Sequence, residues 1–178
     1  CSLTNHSYFN LAGHGAGSVL DQLVKIEADY YCTNGAIPMA DGGIAAVEGT
    51  PMDFRTFSPV GRALRSDFVQ LRQVGGFNHT YVLRKRERGA LELAASMYDP
   101  GSGRKMEVYT TMPGLHFFSA NKTTPRTGKC GATYDRQFGL CFETQFFSNS
   151  AKCTWFPSPV LRKENSYRQV TEFRFLVS

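Results

Sequence analysis

The chain has 178 residues, of which 42% are hydrophobic, and this length is sufficient for one domain with a sizeable apolar core. Its 20 basic and 15 acidic residues give a net charge of +5, but the densest basic run, residues 84–88, is interrupted by Glu87, so we expect a solvated hairpin end and no nucleic-acid partner. No stretch approaches the ~20 apolar residues that span a bilayer and no signal-peptide pattern is visible, so we expect no membrane partner.

Apolar and polar residues alternate with a period of two along much of the chain, which predicts half-buried β-strands. The first such run extends over residues 24–30, with Val24, Ile26, Ala28 and Tyr30 on one face. Similar runs extend over residues 91–97 and 172–177. Helical spacing is rare, and Leu64, Phe68 and Leu71 show it over barely two turns.

Short clusters of glycine, proline and aspartate separate these runs and indicate turns and loops at residues 41–43, 75–76, 99–103 and 157–159. No repeat and no low-complexity linker divides the chain. We therefore predict an all-β fold, in which antiparallel sheets pack face to face as a β-sandwich within one domain.

Five cysteines are present, an odd number, and none forms a CxxC pair: Cys1, Cys32, Cys130, Cys141 and Cys153. This pattern argues against both a zinc site and a complete disulfide framework, so we predict no metal and a reducing, cytoplasmic location. Cys141 precedes Glu143 by two residues and shares its face if both lie on a strand. We interpret it as a small packing residue, because a free cysteine is commonly part of a core.

Two unusual segments suggest an acid/base pair that folding brings together. Residues 5–11, Asn-His-Ser-Tyr-Phe-Asn-Leu, place His6 among aromatic residues, and residues 139–145, Gly-Leu-Cys-Phe-Glu-Thr-Gln, place Glu143 in an apolar neighbourhood. Residue type alone leaves both roles open, because a buried glutamate is often a member of a structural ion pair and a histidine near an aromatic ring is often a core residue.

Six segments, in order, resemble the C-terminal portion of the aldose 1-epimerase (galactose mutarotase) family. They are residues 3–13, 49–55, 76–79, 107–114, 141–145 and 156–162. The resemblance implies a galactose mutarotase-like supersandwich, of which residues 1–178 form the C-terminal part of a single domain. It also implies that a missing N-terminal segment of the same protein, which supplies further sugar-binding residues, is required.

The resemblance further implies an isomerase that interconverts the α and β anomers of free aldohexoses such as galactose or glucose by acid/base ring opening. Glu143 would be the base and His6 the acid, and Tyr8 would line the sugar pocket. The implied partner is a small-molecule sugar, and the chemistry requires no cofactor. Phe9 and Phe118 fit either stacking on a pyranose ring or ordinary core packing.

Two positions that the resemblance implies contact the sugar, Asn78 and Met112, depart from the family pattern. Asn78 in Gly-Phe-Asn-His stands where the family has an aspartate that binds sugar hydroxyls, and Met112 in Thr-Thr-Met-Pro-Gly stands where it has a glutamine. An amide lacks the charge-assisted hydrogen bond of a carboxylate, and a thioether cannot donate. Two alternatives therefore remain: a catalytically impaired carbohydrate-binding homologue, and an epimerase for a different or phosphorylated sugar.

Overall fold

The computed structural model describes residues 1–36 and 39–177 and is built mainly from two five-stranded antiparallel sheets. The strands are β1 (Leu23–Ile26), β2 (Ala28–Asn34), β3 (Ala40–Ala46), β4 (Ser58–Pro59), β5 (Asn78–Leu83), β6 (Glu92–Asp99), β7 (Arg104–Thr110), β8 (Gly114–Phe118), β9 (Arg126–Thr127), β10 (Thr133–Tyr134), β11 (Cys141–Gln145) and β12 (Thr171–Val177). The helices are α1 (Val60–Leu64) and α2 (Val69–Val74), with a single 3-10 turn at Lys129–Gly131.

The first sheet has the strand order β12-β7-β6-β1-β4, and the second has the order β11-β8-β5-β2-β3. Strands β9 and β10 form a separate two-stranded ribbon. One cluster of buried side chains joins the inner faces of the two large sheets, with Val24 and Met106 from the first and Tyr81, Phe117 and Phe142 from the second. The predicted all-β sandwich is confirmed.

Aromatic rings form the centre of this core. The ring of Phe117 lies 5.0 Å from that of Phe77, 5.3 Å from that of Phe142 and 5.8 Å from that of Phe54. Burial of each such side chain stabilises the fold by about 1.5–3 kcal/mol. The rigid core holds β8 and β11 in place from one side, which leaves their opposite faces available for a site.

The alternating run at residues 24–30 is not one strand. It divides at Glu27 between β1 and β2, which belong to different sheets. Val24, Ile26 and Ala28 are buried as predicted, but Tyr30 is 51% exposed. The pairing of β2 with β5 shifts register between Ala28 and Tyr30, and such a bulge reverses the face on which the following residues project.

Three further expectations were wrong in detail. β12 is an edge strand whose outer part is exposed, so Phe175 and Val177 are 62% and 81% exposed and not half-buried. Residues 41–43 lie within β3 and form no turn. Residues 84–88 connect β5 to β6 in the other sheet, so they are a mostly exposed crossover and not a hairpin end.

The short helical pattern is present but divided. Leu64 ends α1, whereas Leu71 lies in α2, which Phe68 precedes. α2 ends at Gly75, which adopts the left-handed conformation with φ of 71°. All five cysteines are free thiols. Over the described ranges, neither helix has the length and apolar character that crossing a membrane demands.

Candidate active site

The second sheet carries a polar patch on the face that points away from the core. Strands β11, β8 and β5 are adjacent, and their register aligns Glu143 with His116 and Thr80, and Cys141 with Phe118 and Asn78. Residues two apart on a strand project from the same face. The two rows therefore share one face, whereas the intervening Phe117 and Phe142 enter the core.

The N-terminal segment brings His6 to this face. Phe9 forms an isolated antiparallel bridge with Leu140, with N–H to carbonyl distances of 2.8 and 2.9 Å, immediately before β11 begins. Residues 1–8 precede this bridge and lie outside any strand. As a result His6 Nε2 lies 3.5 Å from Glu143 Oε1, and the two predicted acid/base residues are neighbours.

The two members of this pair have different environments. The Glu143 side chain is 8% exposed and that of His6 is 51% exposed. Burial raises the pKa of Glu143, and the nearby His6 partly opposes this effect. A carboxylate whose pKa is raised is a stronger base, and an exposed imidazole can exchange protons with solvent, so the pair suits proton transfer in both directions.

Aromatic rings enclose the pair on one side. Tyr8 stacks on His6 with ring centroids 5.2 Å apart, and Phe118 meets the His6 ring edge-on at 5.9 Å. Phe9 instead packs on the core, with its ring 5.0 Å from that of Phe173. Of the two phenylalanines that the sequence left open, Phe118 is therefore at the site and Phe9 supports the core.

Asn78 lies beside a histidine in the same patch. The distance between Asn78 Oδ1 and His116 Nε2 is 2.9 Å, and Thr80 Oγ1 lies 3.0 Å from His116 Nδ1 and 2.8 Å from Ser148 Oγ. An amide oxygen only accepts, so Nε2–H donates to it and Nδ1 accepts from Thr80. Burial, with a smaller contribution from His6, lowers the pKa of His116 to about 4, so this ring is neutral near pH 7.

Cys141 adds a sulfur to the same group. One potential ligand atom from each of His6, Cys141 and Glu143 lies within 4.8 Å of the other two. Cys141 is fully buried, and burial raises the pKa of its thiol well above the ordinary range. A protonated, buried thiol fits a packing residue and not a nucleophile.

The sequence model of the family described as aldose 1-epimerase matches residues 1–174. The chain belongs to the aldose 1-epimerase family. It is 37% identical over 178 residues to a galactose mutarotase of Sus scrofa, covering 99% of this chain and 50% of the relative. It is 31% identical over 182 residues to an aldose 1-epimerase of Escherichia coli (strain K12), covering 98% and 50%. The chain thus spans about half the length of the curated relatives it matches.

Solved structures agree with this membership. A GalM/aldose epimerase homologue from C. elegans superimposes with a TM-score of 0.85 at 25% identity, over 99% of this chain and 51% of that one. A galactose 1-epimerase from Lactobacillus acidophilus NCFM superimposes with a TM-score of 0.73 at 23% identity, over 99% and 48%, and this second likeness concerns the fold alone.

The two residues that depart from the family pattern have different settings. Asn78 belongs to the polar patch. Met112 is 4% exposed and lies in the connection between β7 and β8, two residues before Gly114, whereas Asn78 pairs with Phe118 at the opposite end of β8. The fold therefore places Asn78, but not Met112, in the two rows of the polar patch.

His116 was not predicted from the sequence. Leu115 and Phe117 alternate with His116 and Phe118 in β8, so the pattern of alternation could have placed His116 opposite the core. Its closeness to Asn78 and Glu143 depends on the order β11-β8-β5, which local patterns do not reveal.

A cavity of about 670 Å³ is lined in part by Tyr8. Its walls include Phe9, Phe138 and Phe175, and neither His6 nor Glu143 lines it. The predicted acid/base residues lie outside it, so the candidate site is placed at the polar patch and not in this cavity.

Proposed function

We propose that the protein containing this chain is an aldose 1-epimerase, an isomerase that interconverts the α and β anomers of free aldohexoses such as galactose or glucose. The observation that carries the proposal is the 3.5 Å separation of His6 Nε2 and Glu143 Oε1. The names of the relatives, galactose mutarotase and aldose 1-epimerase, support the same reaction and sugar class.

In the proposed reaction Glu143 removes the proton from the C1 hydroxyl while His6, as imidazolium, protonates the ring oxygen. The C1–O5 bond breaks, and the C1 aldehyde of the open chain rotates about the C1–C2 bond. The O5 hydroxyl then attacks the other face of the aldehyde carbon as the two proton transfers reverse. Each positioned transfer typically contributes ~10² to 10⁴-fold. These steps need only the two side chains.

The exposure of the two groups suggests how a sugar enters. Glu143 is held in β11 and is almost completely buried, whereas His6 belongs to a segment outside the strands and is half exposed. We propose that His6 moves away from Glu143 so that C1 and the ring oxygen fit between them. Tyr8 and Phe118 then offer apolar ring faces to the sugar.

Asn78 is the proposed hydroxyl-binding residue of this chain. Its oxygen accepts from His116, so its amide N–H groups remain as donors for a sugar oxygen. Met112 was the other expected sugar contact. Because it is buried and lies at the opposite end of β8 from Asn78, we do not include it among the sugar contacts.

We further propose that residues 1–178 are the C-terminal part of one larger domain and that residues upstream complete the sugar site. The coverage of about half of each relative supports this proposal. The five free thiols support a reducing compartment such as the cytoplasm.

The second candidate is a carbohydrate-binding homologue without activity, which Asn78 favours because the amide lacks the charge of the family's aspartate. Polarimetry on the full-length protein distinguishes the two. Freshly dissolved α-D-galactose and α-D-glucose should reach rotational equilibrium faster than in buffer alone. Calorimetric binding of either sugar without acceleration would support the binding protein, and acceleration only with the 6-phosphates would support the phosphorylated-sugar alternative.

A further inference from the structure

Three chemically different donors converge on the outer face of the second sheet. The nearest donor atoms of His6, Cys141 and Glu143, an imidazole nitrogen, a thiol sulfur and a carboxylate oxygen, all lie within 4.8 Å of one another. The two strand residues are held by the pairing of β11 with β8, so two of the three donors are preorganised.

We propose that His6, Cys141 and Glu143 form a binding site for a thiophilic divalent metal ion such as Zn²⁺, and that this ion blocks the active site. The ion would take one ligand atom from each residue and complete a tetrahedron with water.

The distances suit such an ion after a small adjustment. Ligands at the usual zinc bond lengths of about 2.0–2.3 Å stand roughly 3.3–3.8 Å apart around a tetrahedral centre. His6 Nε2 and Glu143 Oε1 are already 3.5 Å apart. The distances to Cys141 Sγ are at most 4.8 Å, and they can close by rotation of the Cys141 and Glu143 side chains together with movement of the half-exposed His6.

Charge balance favours an ion at this depth. Cys141 is fully buried and the Glu143 side chain is 8% exposed, so an isolated positive charge there would be costly. The charge of the ion displaces into solvent the thiol proton that burial otherwise retains on Cys141, and the thiolate and the carboxylate together balance the two charges of the metal. The neutral imidazole of His6 adds no charge.

The donor set also predicts which ions bind. A thiolate and an imidazole suit Zn²⁺, Co²⁺ and Cd²⁺, whereas Mg²⁺ and Ca²⁺ prefer all-oxygen ligands. The site should therefore discriminate strongly between these two classes. Blocking the reaction is the part of the inference that rests on the proposed function, since the ion would occupy both proton-transfer groups. Binding itself does not depend on that function.

The decisive measurement is metal binding to the full-length protein in the presence of a phosphine reductant. Co²⁺ should produce the visible bands of a tetrahedral centre and a thiolate charge-transfer band, and Zn²⁺ should displace it. Because loss of an outer-shell partner already costs ~10–100-fold in affinity, Cys141→Ser should weaken Zn²⁺ binding by at least about 100-fold. His6→Gln, at an exposed position, should remove the same bands without disturbing the core.

Two cysteine variants serve as controls. Cys130→Ser removes an exposed thiol, and Cys153→Ala removes a buried thiol that packs in a separate cluster with Cys32. Both should keep the Co²⁺ spectrum. Loss of the spectrum in either control, or its retention in Cys141→Ser and His6→Gln, would overturn the assignment.

Polarimetry then tests the consequence for activity. Zn²⁺ should inhibit the wild-type protein competitively with galactose, EDTA should restore the rate, and Mg²⁺ should have no effect. If the protein is not an epimerase, polarimetry detects no activity for Zn²⁺ to inhibit, while the Co²⁺ spectrum is still observed. If the metal site is wrong, the spectrum is absent whatever the activity.

Discussion

The side chains of Asn78 and His116 lie on neighbouring strands with Oδ1 and Nε2 2.9 Å apart. His116 is neutral near pH 7 because burial lowers its pKa to about 4. Asn78 thus has an amide where the family pattern has a carboxylate, and this amide accepts a hydrogen bond from the uncharged ring of His116. A single substitution can test whether this pairing reduces affinity for sugar.

Asn78→Asp should lower KM for galactose or glucose and change kcat less. A carboxylate forms charge-assisted hydrogen bonds worth about 1.5–3 kcal/mol, against about 1 kcal/mol for neutral ones, and it transfers no proton in the proposed reaction. It should also raise the pKa of His116, which NMR titration would detect. If KM for both hexoses stays the same or rises, Asn78 is adapted to another ligand and the hexose assignment should be abandoned.

Met112→Gln should affect stability more than sugar binding. The side chain is 4% exposed, and an amide placed there without partners costs about 1–3 kcal/mol. Chemical denaturation measures this loss, and Met112→Leu provides the volume-matched control with little effect. A fall in KM without loss of stability would return Met112 to the sugar site.

Glu143→Gln and His6→Asn should each reduce kcat by roughly 10²- to 10⁴-fold, because each removes one proton-transfer group. Far-ultraviolet circular dichroism should remain unchanged. His14→Asn and Glu48→Gln remove an exposed histidine and an exposed glutamate and should retain normal turnover. Wild-type rates in either well-folded site variant would remove the acid/base assignment.

Acid should destabilise the fold through His79, which is buried, and His116, which is partly buried. Burial lowers the pKa of His79 to about 3 and that of His116 to about 4, below their ordinary value of 6.5. The unfolded chain then binds protons first, so this stability is present above pH 6.5 and is lost as the pH falls. Between pH 6.5 and 5 each histidine should contribute a loss of about 1.5 kcal/mol.

Denaturation curves at several pH values test this dependence. His116→Gln and His79→Gln should each make the stability less dependent on pH over that range. The exposed His14→Gln should leave the slope unchanged. Equal slopes in all three variants would show that His79 and His116 do not set the acid sensitivity.

The chain expressed alone should aggregate. β12 is an edge strand, and Phe175, Leu176 and Val177 are 62%, 46% and 81% exposed along it. An exposed apolar edge invites pairing with other chains. Light scattering after size exclusion should detect large species, and Phe175→Lys with Val177→Lys should reduce them. A monodisperse and fully active chain would show that upstream residues are not required.

Alternation along the sequence was sufficient to predict strands and the sandwich. Successive residues of a half-buried strand face the core and the solvent in turn, so apolar and polar residues alternate along it. The motifs around His6 and Glu143 likewise indicated an acid/base pair, since those residue types near aromatic and apolar neighbours are unusual. The pattern wrongly predicted that Tyr30 is buried, because a bulge between Ala28 and Tyr30 reverses the face on which the following residues project.

Tertiary structure alone decided the composition of the site. The strand order β11-β8-β5 places His116 beside Glu143 and Asn78 beside His116, and the bridge between Phe9 and Leu140 brings His6 to the same face. Cys141 joins His6 as a potential metal ligand for the same reason. These contacts join residues that are distant along the chain, so the spacing of residues within a short segment cannot predict them.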